Sequence, residues 1–173
     1  QGEPGHDHLL DDFSPQGFAA TSALRRATLA KLTDATPVDD VDTVTLAAMR
    51  ERLGLAEEMY AAGLDEMECN VLSSPMQSIR SVFDLMPTNT DTQWSTFGER
   101  LTRVPTALTQ WVGTLADSAD RGLVTPRRQV LANIGQCEQF IAGDGYFATL
   151  AANAKAATSM SEATRDRVLA GIG

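Results

Sequence analysis

Proline set directly after a hydroxyl-bearing residue punctuates this chain, and no other feature restricts its fold as strongly. Ser14-Pro15, Ser74-Pro75 and Thr125-Pro126 each place an N-cap side chain before a ring at the first helical position, where the missing N–H costs nothing. Phe13 and Phe18 flank the first start as a hydrophobic staple, Thr90 with Gln93 makes a capping-box pattern, and Ser74 has Gln77 in the equivalent place. Four helix starts are thereby marked. β signals are nearly absent: strict alternation never persists, and no Asn-Gly or Asp-Gly joins two β-type runs. The expectation is an all-α chain, a bundle of about seven or eight helices forming one domain over residues 1–173.

Periodicity places the elements. A helix from Asp39 to Gly63 aligns Val41, Val44, Ala48, Leu55, Met59 and the neighbouring Leu53 and Tyr60 in one stripe, with acidic residues at its dipole-positive start. A shorter one, Pro75 to Met86, carries Met76, Ile79, Val82 and Phe83 and is stopped by Pro87. Segments 91–102 and 105–121 carry Trp94, Phe97, Leu101, Leu108, Trp111, Val112 and Leu115, with Gly122 as the closing C′ residue. Exposed sides are expected to pair Glu99 with Arg103 and Asp117 with Arg121. From Pro126 to Ala142, Val130, Leu131, Ile134, Phe140 and Ile141 are expected to face inward. An Ala-rich helix follows over 146–157, and a last one begins near Ser159 with Glu162 in the capping-box place. That last helix, SEATRDRVLAGI, has just become amphipathic when the chain stops. The expectation is a cut chain with an apolar patch left by an absent partner.

Chemistry is sparse. A net charge of −9, from 14 Lys and Arg against 23 Asp and Glu, repels phosphate backbones and anionic lipid, so neither nucleic acid nor a membrane is an expected partner. Arg25-Arg26 and Arg127-Arg128 read as solvated helix faces, and so do Asp39-Asp40 and Glu57-Glu58. No stretch is long and apolar enough to span a bilayer and no export signal is visible; a cytoplasmic location is the default expectation. Cys69 and Cys137 are too few and too far apart for a disulfide scaffold and read as buried thiols. Met49, Met59, Met76 and Met86, with Trp94 and Trp111, read as core.

The only histidines are His6 and His8, which excludes a three-imidazole site and the HExxH zinc motif. In an extended loop the two would share a side, yet they lack a third ligand. Glu3 and His6 imitate the Glu-x-x-His of di-iron bundles, but Pro4-Gly5 breaks the helix such a site needs. Phosphate-binding glycine loops and nucleophile elbows are missing too. A self-sufficient hydrolase therefore lacks a site, and no catalytic or metal-ligating residue is assigned.

Two stretches, GHDHLLDDFSPQGFAA and NVLSSPMQSIRSVFDLMP, stand either side of an amphipathic helix containing MRERLGLAEE. Together they resemble the N-terminal helical region of the bacterial domain of unknown function 885 family, in order and spacing, over about the first 130 residues. The resemblance implies a zinc metallopeptidase-like protein with a helical, cleft-shaped carboxypeptidase architecture, whose HExxH lies far downstream. By that implication this chain is a non-catalytic N-terminal portion walling the substrate cleft. Its partners would be the remainder of the same polypeptide and a peptide substrate; it would carry no cofactor, zinc being held by the missing C-terminal part. Family positions map onto Gly5, His6 and Asp7 and onto Ser74, Pro75 and Gln77, by position only. With Arg80 interleaved on the same apolar helix as Gln77, the candidate cleft-lining residues are His6, Asp7, Gln77 and Arg80. A free-standing helical-bundle interaction module without enzymatic activity is the other reading.

Overall fold

Ser14 caps the first helix as its sequence demands: its backbone is extended and its hydroxyl accepts from the Gly17 N–H at 3.1 Å, with Pro15 inside the first turn. The computed structural model describes residues 5–173, and among these the elements are all helical. They are α1 (Pro15–Thr33), α2 (Asp40–Ala61), α3 (Pro75–Ser81) running into a 3-10 turn (Val82–Asp84), α4 (Asp91–Leu101), α5 (Val104–Asp120), α6 (Arg127–Ile141), α7 (Tyr146–Ala156) and α8 (Glu162–Ile172). The chain is all-α. No helix among the described residues is long and apolar enough to cross a membrane.

Local chemistry fixes most ends. Thr90 and Gln93 complete a reciprocal capping box, and Asp39 accepts from the Asp42 N–H at 2.8 Å. Gly63 and Gly122 end α2 and α5 with φ of +74° and +81°, a conformation that a Cβ disfavours. Other ends shift for identifiable reasons. α6 starts after Pro126 instead of Thr125, because the Thr125 hydroxyl donates to the Met67 carbonyl and so tethers the preceding loop. α8 is capped by Ser161, not Ser159, since the Asp91 carboxylate holds the Ser161 N–H at 2.7 Å and fixes the turn there.

Two cores carry the packing. In the larger, Phe83, Trp94, Phe97, Leu101, Leu150, Ala154, Met160 and Val168 join the 3-10 turn to α4, α7 and α8. Small residues let α4 and α8 approach closely: a Cβ on Gly98 would stand 3.2 Å from Val168 Cγ2, and one on Gly171 would stand 3.1 Å from Leu101 Cβ. The smaller core gathers Cys69, Met76 and Trp111, with Phe13, Leu108, Leu115 and Phe140 against it. Trp111 Nε1 donates to the Glu68 carbonyl at 3.2 Å, so the indole buries its body without stranding its donor. Both tryptophans are core anchors, as expected.

α2 departs from expectation. It packs on α1 alone among the well-contacted helices, and none of its residues is buried. Val41, Val44, Leu55 and Met59 face solvent, and so does Met49, which is therefore no core filler. Beside half-buried Leu46, Leu53 and Tyr60, polar contacts tie α2 to α1: Ser22, wholly buried, donates to Glu57 Oε2 at 2.7 Å, while Arg25 lies between Glu57 (3.5 Å) and Asp65 (3.4 Å), the latter just past α2. Arg25 and Glu57 are thus turned inward instead of solvated. The expected pairing of Arg121 with Asp117 is also replaced, since Arg121 Nη2 reaches the buried Glu66 carboxylate at 2.7 Å. Glu99 and Arg103 form no ion pair among the described residues.

α6 is the second departure. It buries Asn133 and half-buries Gln129 and Gln136, while Val130, Leu131, Ile134, Cys137 and Ile141 are exposed. Phe140 packs on the smaller core as expected, α7 is the neighbouring helix, and the amide edge faces α3. The protein exposes 10787 Å², against roughly 8200 Å² for a compact monomer of 18.6 kDa.

Candidate functional site

The chemistry that distinguishes this chain collects where α3 meets α6 and α7. Approaching α3, the Asn70 carboxamide accepts from the Leu72 and Ser73 N–H groups at 2.8 and 2.9 Å, folding the chain into the turn that delivers Ser74. Ser74 is wholly buried, and its hydroxyl does not cap the helix. Its Oγ stands 2.8 Å from the Asn70 carbonyl oxygen and 2.5 Å from Gln77 Oε1, with one proton to share between them. Gln77 Nε2 in turn donates to Gln136 Oε1 at 2.7 Å and to Asn133 Oδ1 at 3.2 Å. Asn133 Nδ2 donates to the Gln129 carbonyl and Gln136 Nε2 to the Val71 carbonyl. The pattern that reads as a capping box is a side-chain amide relay binding α3 and its preceding loop to α6.

One turn further along α3, Arg80 projects toward α7. Its Nη1 pairs with Asp84 at 2.8 Å, and its guanidinium carbon lies 4.3 Å from the centre of the Tyr146 ring and 5.9 Å from that of Phe140. Arg80 Nε is buried without a hydrogen-bond partner. Burial pushes the Tyr146 hydroxyl up to about 12, the Asp84 carboxylate adds to the rise and Arg80 opposes it. Beside this cluster opens an apolar slot of about 130 Å³ whose walls include Met76, Ile79, Leu108 and Phe147, with Arg80 and Cys137 also lining it.

The four candidate residues do not converge. Gln77 and Arg80 share α3, but His6 and Asp7 lie exposed on the opening loop. That loop is pinned to α4, Arg100 Nε donating to the Leu9 carbonyl at 2.9 Å, and Asp7 lines a groove there with Arg100 and Met86. Burial lowers the Arg100 guanidinium while Asp7 and Asp11 oppose the drop. Glu3 lies outside the described residues.

What the arrangement offers is an apolar slot, a guanidinium stacked on an aromatic ring and an unpaired buried N–H. Burial is the chief cause that pushes both thiols up, Cys69 in the smaller core and Cys137 on the exposed edge of α6, away from thiolate character at neutral pH. Cys137 is thus not the buried thiol its sequence suggests. No three His, Cys, Asp or Glu side chains are placed to hold a metal ion among the described residues. A larger, more polar depression of about 480 Å³ lies between residues 9–12 and the start of α5. It lacks the buried unpaired donor and aromatic walls that mark the α3 site.

Sequence reasoning singles out Gln77 and Arg80 but misses Asn133, Gln136, Asp84 and Tyr146. A signal for two of these exists: Gln129, Asn133 and Gln136 recur at spacings of four and three, a second, polar stripe on the helix whose apolar stripe draws attention.

No curated protein matches the chain. A family model does, over residues 1–172, well past the motifs that carry the resemblance and through the helices beyond them. With the all-helical fold in place, the chain belongs to the bacterial proteins of unknown function grouped as the DUF885 family.

Proposed function

We propose that this chain is the non-catalytic helical portion of a larger peptidase-like protein, walling a substrate cleft with α3, α6 and α7 and docking the rest of that protein through α2. One observation carries the reading: α2, 22 residues long with an apolar row, buries none of them. Leaving Val41, Val44, Leu55 and Met59 in water forgoes roughly 1.5–3 kcal/mol for each side chain that could be fully buried. Such a face is retained where something covers it. The surface in excess of that of a compact monomer supports the same conclusion.

The wall has suitable chemistry. An apolar side chain of a peptide would fill the slot beside Ile79 and Leu108, and a peptide carbonyl would satisfy the unpaired Arg80 Nε–H. Gln77 acts as a positioning residue, holding α6 against α3. Zinc, if the parent protein uses it, is held by other residues than these.

The test is made in the complete protein. Arg80→Lys keeps the charge but loses the planar guanidinium, so peptide turnover should drop by about tenfold or more with little change in thermal stability. Equal turnover would refute the cleft wall. An HExxH further along the reading frame supports the peptidase assignment; a stop soon after Gly173 supports the free-standing interaction module.

A further inference from the structure

We infer that a second depression beside the Arg80 slot is a subsite for a neutral carboxamide, the side chain of a glutamine or asparagine in the peptide that the wall holds. The inference rests on the cleft-wall reading and deepens it. The depression, of about 390 Å³, lies between the 3-10 turn, α4 and α7, and its walls include Asp84, Thr88, Trp94, Tyr146, Thr149 and Asn153. Phe83 lines both it and the slot. Arg80 lines the slot, whereas Asp84, one helical turn on, lines the depression, and Phe147 and Tyr146 at the start of α7 divide in the same way. Phe83 and the Arg80–Asp84 pair thus form a ridge with an apolar hollow on one side and a polar-lined one on the other.

Trp94 carries the assignment. It is 5% exposed, and its Nε1–H is buried without a hydrogen-bond partner among the described residues. Trp111, the other tryptophan, spends the same group on the Glu68 carbonyl. A buried donor left unmade is costly, and a ligand oxygen that reaches it recovers the bond. An indole only donates, so the ligand must bring an acceptor. Asp84 only accepts; one oxygen is taken by Arg80 at 2.8 Å, and the lone pairs left over call for a donor. A carboxamide supplies one of each on separate atoms. A carboxylate would meet the charge of Asp84, while an ammonium would bring nothing to the indole and would find Asp84 already neutralised by Arg80.

The offset sets the spacing along the peptide. One turn of helix, the step from Arg80 to Asp84, advances roughly 5.4–6 Å. Side chains on the same side of an extended peptide are two positions and roughly 6.6–6.8 Å apart. The apolar side chain in the slot and the carboxamide in the depression therefore stand two positions apart.

Turnover by the complete protein of peptides carrying Leu-Ala-Gln, Leu-Ala-Glu or Leu-Ala-Ala, in either direction, tests it. The glutamine peptide should exceed the other two in kcat/KM by about tenfold or more. Trp94→Phe should remove most of its advantage over the alanine peptide. Asp84→Asn, which leaves the Arg80 charge unopposed, should reverse the order of the glutamine and glutamate peptides. Each ratio is taken on one preparation, so a variant that folds poorly lowers both peptides alike and leaves the ratio standing. Turnover that falls in Arg80→Lys but ignores the residue two positions from the leucine overturns this inference and spares the cleft wall. So does a glutamine preference that neither Trp94→Phe nor Asp84→Asn moves. Turnover indifferent to Arg80→Lys as well, or no turnover of any of the peptides, overturns both.

Discussion

Replacing Gln77 with alanine removes the hub of the amide relay. The change withdraws the donor from Asn133 Oδ1 and Gln136 Oε1 and the neighbour from Ser74 Oγ. Asn133 is 4% exposed, so its oxygen cannot recruit bulk water and carries the penalty of an unmade buried hydrogen bond, about 1–3 kcal/mol. Gln136 is partly exposed and regains some solvation, so its lost bond contributes about 1 kcal/mol. Ser74 keeps the Asn70 carbonyl and adds little. The sum is a destabilisation of about 2–4 kcal/mol, equivalent to a fall in melting temperature of roughly 5–15 °C for a domain of this size. Urea unfolding followed by circular dichroism, with the slope held common, measures it. The stricter form is a double-mutant cycle with Asn133→Ala, in which the paired loss should be smaller than the sum of the single losses by at least 0.5 kcal/mol or so. Additive losses, or a Gln77→Ala midpoint indistinguishable from the parent, would show that α6 is held by something other than its amides.

Three further outcomes follow from the geometry. Ultraviolet titration should find a tyrosine ionising near pH 12, absent from Tyr146→Phe. Because that hydroxyl holds its proton more tightly folded than unfolded, stability should be unaffected below about pH 10 and decline as pH rises toward 12. Asp91 is lowered chiefly by the Ser161 backbone N–H, so its contribution is present above the ordinary carboxylate value of 3.8 and is lost as pH falls below it; Asp91→Asn should flatten that acid limb in urea midpoints measured against pH. Gly98→Leu drives a branched side chain into the α4–α8 crossing, where even a Cβ stands 3.2 Å from Val168, and should destabilise by about 1–3 kcal/mol or more in the same assay.

Read alone, the sequence determined what is local. Hydroxyl–proline starts, the Thr90–Gln93 box and the closing glycines act within a few residues of themselves, so helix positions and the all-α class were legible from order alone. Trp94 and Trp111 were legible as core because large apolar rings have few other stable places. The tertiary structure decided which face of each helix is covered. Periodicity shows that α2 and α6 have an apolar side, but it carries no sign to distinguish inward from outward. That sign comes from partners distant in sequence: Ser22 and Arg25 hold α2 by Glu57, and Gln77 holds α6 by Asn133 and Gln136. Hydrogen bonds between buried side chains are directional and need both ends in place, so the amide edge of α6 turns toward α3 where Gln77 meets it. The candidate site was half legible for the same reason, Gln77 and Arg80 standing out on their own helix while Asp84, Tyr146, Asn133 and Gln136 acquired meaning only once the fold brought them together.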